Sequence, residues 1–136
     1  MKTTFIVFFL ALLVVSCNDD DDDSQHHTDL MLDVSWSLVN VSNGFAGVDN
    51  DFEIGIITWN FNSNNFELTV TNSNITNVIY DGFSSGTYDY EVLTSTEEDD
   101  LLIINTFSYG ITALSATQLI LDEGVAADGF LLTFSR

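Results

Sequence analysis

A chain of 136 residues with 21 acidic and 2 basic side chains carries a formal net charge of −19, and such a surface repels phosphate backbones, so nucleic acid is excluded as a partner. Hydrophobic residues at 46% and aromatic residues at 12% exclude disorder of the whole chain despite its acidity. A single cysteine excludes an intramolecular disulfide.

The first element is a targeting segment rather than part of a fold. Lys2 supplies a short positive region, Phe5 to Val15 an apolar run of 11 residues, and Val14-Val15-Ser16-Cys17 a small residue followed by cysteine. A helix spanning a bilayer needs about 20 apolar residues, so the run is too short to be one. It reads as a cleavable lipoprotein signal over 1–16, with Cys17 as the lipid acceptor and new N-terminus. One acyl chain anchors only marginally, so more than one is expected on Cys17.

Residues 17–31 follow as an acidic tether. Asn18 and the aspartates Asp19 to Asp23, then Ser24-Gln25-His26-His27-Thr28-Asp29, carry dense like charge and no apolar periodicity. An acidic run directly after the lipidated cysteine resembles the export signal that carries some Gram-negative lipoproteins to the outer face of the outer membrane; a periplasm-facing spacer is the alternative. The aspartates and histidines are exposed, flexible ligands and no metal is expected there.

Residues 32–136, about 105, suffice for one domain and one core. Period two dominates. Val34, Trp36 and Leu38 alternate with serines in a first strand reaching about Val41; Ser42-Asn43-Gly44 breaks it, and a polar loop through Asp49-Asn50-Asp51 follows. A second strand is predicted over Glu53 to Phe61, where a change of phase between Ile54 and Ile57 calls for a bulge near Gly55. Ser63-Asn64-Asn65 turns the chain into a third strand, in which Phe66, Leu68 and Val70 alternate with polar residues, giving a hairpin.

A weaker strand covers about Asn77 to Tyr80, and Tyr88, Tyr90 and Val92 mark the next. Glu97 to Asp100 forms a charged turn. Leu101 to Ile104 is apolar on both faces, so it is either covered twice or part of an interface. Ser108 to Ala113, Gln118 to Leu121, and Phe130 to Ser135 complete the set, with Ala113 to Ala116 able to form a single helical turn. Short connections imply antiparallel neighbours. The expected fold is all-β, an antiparallel up-and-down barrel of about eight strands, because closure removes sheet edges that a proline-free chain otherwise leaves unprotected. A β-sandwich is the alternative.

Beyond the tether there is no histidine, cysteine or lysine, and the only arginine is Arg136. Serine–histidine and cysteine–histidine nucleophiles, Schiff-base lysines and histidine-bound zinc are therefore out of reach of the domain. Asp89 and Glu91 share one strand face roughly 7 Å apart, a spacing of interest for glycoside chemistry, but they oppose the better interior candidates and read as a solvated face. Asp49, Asp51 and Glu53 fail the EF-hand pattern, whose glycine and glutamate positions hold Ile54 and Asn60. No catalytic residue, no metal and no cofactor is expected. Trp36, Trp59, Phe66, Tyr88, Tyr90, Phe130 and Phe134 are candidates to line a cavity for a small ligand; the alternative is that they fill the core.

Ser35-Trp36-Ser37-Leu38, Ile57-Thr58-Trp59-Asn60-Phe61, Gly86-Thr87-Tyr88-Asp89-Tyr90 and Gly129-Phe130-Leu131-Leu132-Thr133-Phe134-Ser135-Arg136, after a lipidated cysteine and an acidic tether, resemble the lipocalin-like domains of small bacterial lipoproteins. The resemblance implies a barrel and ligand binding, and it implies that Arg136 stacks across Trp36; where lipocalins carry a glycine two before that tryptophan, this chain has Val34. The expectation is a non-catalytic, lipid-anchored protein of the outer membrane, cell-surface exposed, that binds a small hydrophobic or carbohydrate-type ligand. The alternative is a structural or interaction module with a filled core and another envelope protein as partner.

Overall fold

The alternating segments close on themselves. The structure, a computed structural model, describes Thr28 and residues 31–136; the signal, Cys17 and the acidic run lie outside the described residues. Among the described residues nine strands form one sheet: β1 Ser35–Asn43, β2 Val48–Asp51, β3 Ile57–Asn62, β4 Glu67–Asn72, β5 Gly86–Leu93, β6 Asp100–Ile104, β7 Phe107–Leu114, β8 Gln118–Asp122 and β9 Phe130–Ser135. Their order is β2-β1-β3-β4-β5-β6-β7-β8-β9, and β1 also pairs with β9. All pairings are antiparallel. The β1–β9 ladder, which matches Leu38 with Phe134 and Val41 with Leu132, closes eight strands into an up-and-down, lipocalin-like barrel. The extra strand, β2, lies beside the second half of β1, where β3 no longer pairs.

Each strand turns one set of alternate side chains inward. Trp36, Leu38 and Val41 of β1, Ile57, Trp59 and Phe61 of β3, Leu68 and Val70 of β4, and their counterparts around the barrel form one buried cluster. Burying each such side chain contributes about 1.5–3 kcal/mol, which is where the barrel's stability originates. Turn chemistry sets the register. The β6–β7 connection is only Asn105-Thr106, with Asn105 at φ +52°, a left-handed conformation that asparagine adopts more readily than most residues.

The connections divide between two ends. One end holds the start of β1, the turns 63–66, 94–99 and 115–117, and Arg136. There the helical residue Leu32 is fully buried and its carbonyl accepts a hydrogen bond from Trp36 Nε1 at 3.3 Å, while Thr28 Oγ1 donates to Asp100 Oδ2 at 3.0 Å. The opposite end, called here the loop end, holds the turns 44–47, 52–56 and 105–106, the long segment 73–85, and 123–129 with a 3-10 turn at Val125–Ala127.

Four local expectations are corrected. The strand expected from Glu53 begins only at Ile57: Gly55, at φ +90°, lies in a turn whose N–H donates to Ser37 Oγ, and that turn, not a bulge, accounts for the phase change at Ile54. The polar loop at Asp49-Asn50-Asp51 is instead strand β2, held because Asn40 Nδ2 on β1 donates to Asp49 Oδ1 at 2.8 Å and to Asp51 Oδ1 at 2.9 Å. Asn77 to Tyr80 is no strand. The irregular segment takes its hydrogen bonds from asparagine side chains: Asn74 Oδ1 accepts from Thr76 N and Asn74 Nδ2 donates to Asp81 Oδ2. Phe66 closes the β3–β4 turn at φ +55°, which takes its ring out of the strand alternation.

Of the two options for Leu101 to Ile104, double coverage is not what the barrel provides. Leu102 and Ile104 point inward and are fully buried, whereas Leu101 is exposed and pairs across the ladder with exposed Leu93. The segment Ala113 to Ala116 splits between the end of β7 and a turn in which Ser115 Oγ accepts from Thr117 N and Gln118 N.

Candidate functional site

The aromatic side chains singled out from the sequence fall into three settings. Trp36, Trp59 and Phe134 are fully buried and Tyr90 nearly so. Tyr88 and Phe130 are half-buried, and Phe66, 46% exposed, sits at the barrel rim with its ring 5.9 Å from that of Tyr90.

Trp59 is the hub of the interior. Its ring centroid lies 4.8 Å from Phe134, 5.3 Å from Phe83, 6.4 Å from Phe61 and 6.5 Å from Tyr109. Tilted and edge-on aromatic pairs at these separations add roughly 0.5–1.5 kcal/mol each beyond area burial. Among the aromatics that pack in or against the core, Phe61, Tyr109, Phe83, Tyr80 and Phe52 were absent from the sequence candidates. Phe61 and Tyr109 were legible from period two, since each alternates with polar neighbours on an expected strand. Phe83 had no such signal, because it stands between Gly82 and Ser84 in an irregular segment.

Segment 73–85 covers the loop end. Tyr80 stacks on Phe130 at 4.5 Å and 14°, and Phe83 touches Trp59, Tyr88 and Phe107. Gly82, at φ +84°, passes so close to the core that a Cβ there would lie 3.3 Å from Trp59 Cζ2. Beneath the segment, the hydroxyls of Tyr80 and Tyr109 are 3.3 Å apart. Burial raises the pKa of both tyrosines, and nearby Glu123 reinforces the shift, so both hydroxyls are neutral at physiological pH. Trp59 Nε1 is buried and has no hydrogen-bond acceptor among the described residues.

The carboxylates lie outside. Asp89 and Glu91 are exposed and flank an outer groove of about 300 Å³ with Ile103 and Asn105. A second outer groove of about 370 Å³ is bounded by Glu98, Asp99, Leu101, Asp122 and Glu123. In the charged turn, Ser95 Oγ accepts from Glu97 N and Glu98 N, a local cap rather than a reactive arrangement. Among the described residues, no group of three or more acidic or histidine side chains converges as metal ligands would. At the other end, the Arg136 guanidinium lies 5.2 Å from the Trp36 ring centroid.

Compared with protein-family models, curated proteins and solved structures, the chain matches none of them.

Proposed function

We propose that the chain is a non-catalytic, lipid-anchored module of the cell envelope whose barrel is a rigid, filled core and whose outer surface engages another envelope protein. The observation that carries this reading is the packing around Trp59: four aromatic rings crowd it, one of them the half-buried Phe83 from the loop end, and Leu32 is fully buried at the other end. A ligand entering the interior would have to break those ring contacts. Cys17 carries the acyl chains, and the acidic run behind it directs the anchor toward the outer surface of the outer membrane.

A second reading, a small hydrophobic or carbohydrate-type ligand bound beneath segment 73–85, is favoured by one observation. The buried indole N–H of Trp59 has no acceptor among the described residues, and such a donor is costly to leave unsatisfied, by about 1–3 kcal/mol. Titration of Trp59 fluorescence with fatty acids and with oligosaccharides separates the two, using Trp36→Phe to isolate the signal. The surface reading predicts no saturable change; a saturable change would overturn it in favour of the second.

A further inference from the structure

We infer that the loop end of the barrel is a docking face for a cationic protein surface bearing apolar sockets. The inference rests on the surface reading above and names where that surface lies. Among the described residues, eight large hydrophobic side chains are exposed; four of them stand on loop-end connections and a fifth, Phe107, begins β7 at the same end. These are Phe45 at 91%, Ile54 at 75%, Ile75 at 99%, Ile79 at 66% and Phe107 at 49%. Single exposed apolar residues are ordinary, but a set gathered on one end of a domain marks an interaction surface.

The loops bearing these side chains are tied together. Gly44 N donates to Gly129 O at 3.1 Å and Ser73 N to Ile56 O at 2.9 Å, while Tyr80 stacks on Phe130 and Phe83 meets Phe107 at 5.6 Å. The tips are therefore presented on a braced platform, which lowers the ordering cost of binding.

Charge selects the occupant. Asp49, Glu53, Asp81, Glu123 and Asp128 surround the tips, whereas Arg136, the one basic residue among those described, is at the opposite end. A second copy, carrying the same carboxylates, is repelled, as is an anionic lipid surface. A partner with lysines or arginines around apolar pockets is matched on both counts. Chain connectivity agrees: among the described residues, Thr28 and Leu32 enter the fold at the end opposite these tips, so the tips are clear of the chain's entry.

The test uses residues 17–136 with Cys17→Ser and two synthetic peptides, one alternating lysine with phenylalanine and one alternating glutamate with phenylalanine. Amide shifts on adding the basic peptide are expected in turns 44–47 and 52–56, segment 73–85 and Phe107, with no binding of the acidic peptide. Phe45→Ser/Ile75→Ser/Ile79→Ser keeps every carboxylate and every core contact, and it should weaken binding at least about tenfold. Its own amide spectrum reports that the barrel is intact. Unchanged affinity in the triple variant, or shifts centred on the outer grooves, would overturn the loop-end assignment while leaving the surface reading standing. Self-association in sedimentation, or binding to phosphatidylcholine vesicles without peptide binding, abolished by the same variant, would assign the face to a second copy or to lipid and overturn the cationic partner.

Discussion

Arg136 lies over the ring of Trp36, with the guanidinium carbon 5.2 Å from the ring centroid, so the last residue after β9 covers the first tryptophan of β1 next to the seam where the barrel closes. The Arg136 side chain also donates through Nε to the Ala116 carbonyl, which ties the β7–β8 turn to the same point. An exposed cation–π contact is worth about 0.5–1 kcal/mol. Arg136→Ala should therefore lower stability to denaturant by about that amount plus part of a hydrogen bond. A double-mutant cycle with Trp36→Phe should return a favourable coupling; additive effects would mean that the ring and guanidinium do not interact.

Gly44 and Gly47 separate backbone strain from a clash. Both have positive φ, +71° and +59°, so alanine at either is strained by roughly 1 kcal/mol. A Cβ at Gly44 would also fall 2.8 Å from Phe130 Cδ1, whereas at Gly47 it meets nothing within 4 Å. Gly44→Ala should be the more destabilising of the two by chemical denaturation, and it should disturb the Tyr80–Phe130 stack, visible as faster amide exchange in segment 73–85.

Phe83→Ala tests the plug at the loop end. Phenylalanine truncations in cores cost about 3–5 kcal/mol; Phe83 is only half-buried, so a loss nearer 2 kcal/mol is expected. Hydrogen exchange should accelerate at the loop end and remain slow around Trp36 and Leu32.

Alkaline pH should destabilise the barrel through its buried tyrosines. Burial raises the folded-state pKa of Tyr80 and Tyr109 above the ordinary value of 10.0. Below that value both states keep the proton and stability is at its plateau. Above it the unfolded chain ionises while the folded chain does not, so stability falls as pH rises, by at most about 1.4 kcal/mol per pH unit for each tyrosine. Denaturant midpoints measured over about pH 8–11, the range that brackets the tyrosine reference pKa, should decline more shallowly in Tyr109→Phe than in the parent.

The anchor has its own test. Cys17→Ala should abolish palmitate labelling and release the chain from the membrane fraction. Protease added to intact cells should trim the parent chain if its barrel faces outward and leave it untouched if it faces the periplasm.

What could be read from the sequence was the inward face of the strands. Period two assigned Trp36, Leu38, Trp59, Leu68, Val70, Tyr90 and Phe134 correctly because each lies within a continuous ladder, where one face must be buried. It failed where something other than an apolar ladder sets direction. Phe66 obeys a turn, the polar Val48–Asp51 pairs with β1 without an apolar alternation to announce it and is reinforced by Asn40 holding two aspartates, and Tyr80 and Phe83 enter the core from a segment that uses asparagine side chains in place of strand pairing. The loop-end cluster was hidden for a related reason. Phe45, Ile54, Ile75 and Phe107 are far apart in sequence, and only the order of the strands gathers them at one end.

The central claim, a filled barrel that works through its surface, is tested most directly by native mass spectrometry of the lipidated chain isolated from its own envelope. The account predicts the mass of the acylated polypeptide with no small molecule retained. A reproducible non-covalent adduct of one lipid or saccharide per chain would contradict it.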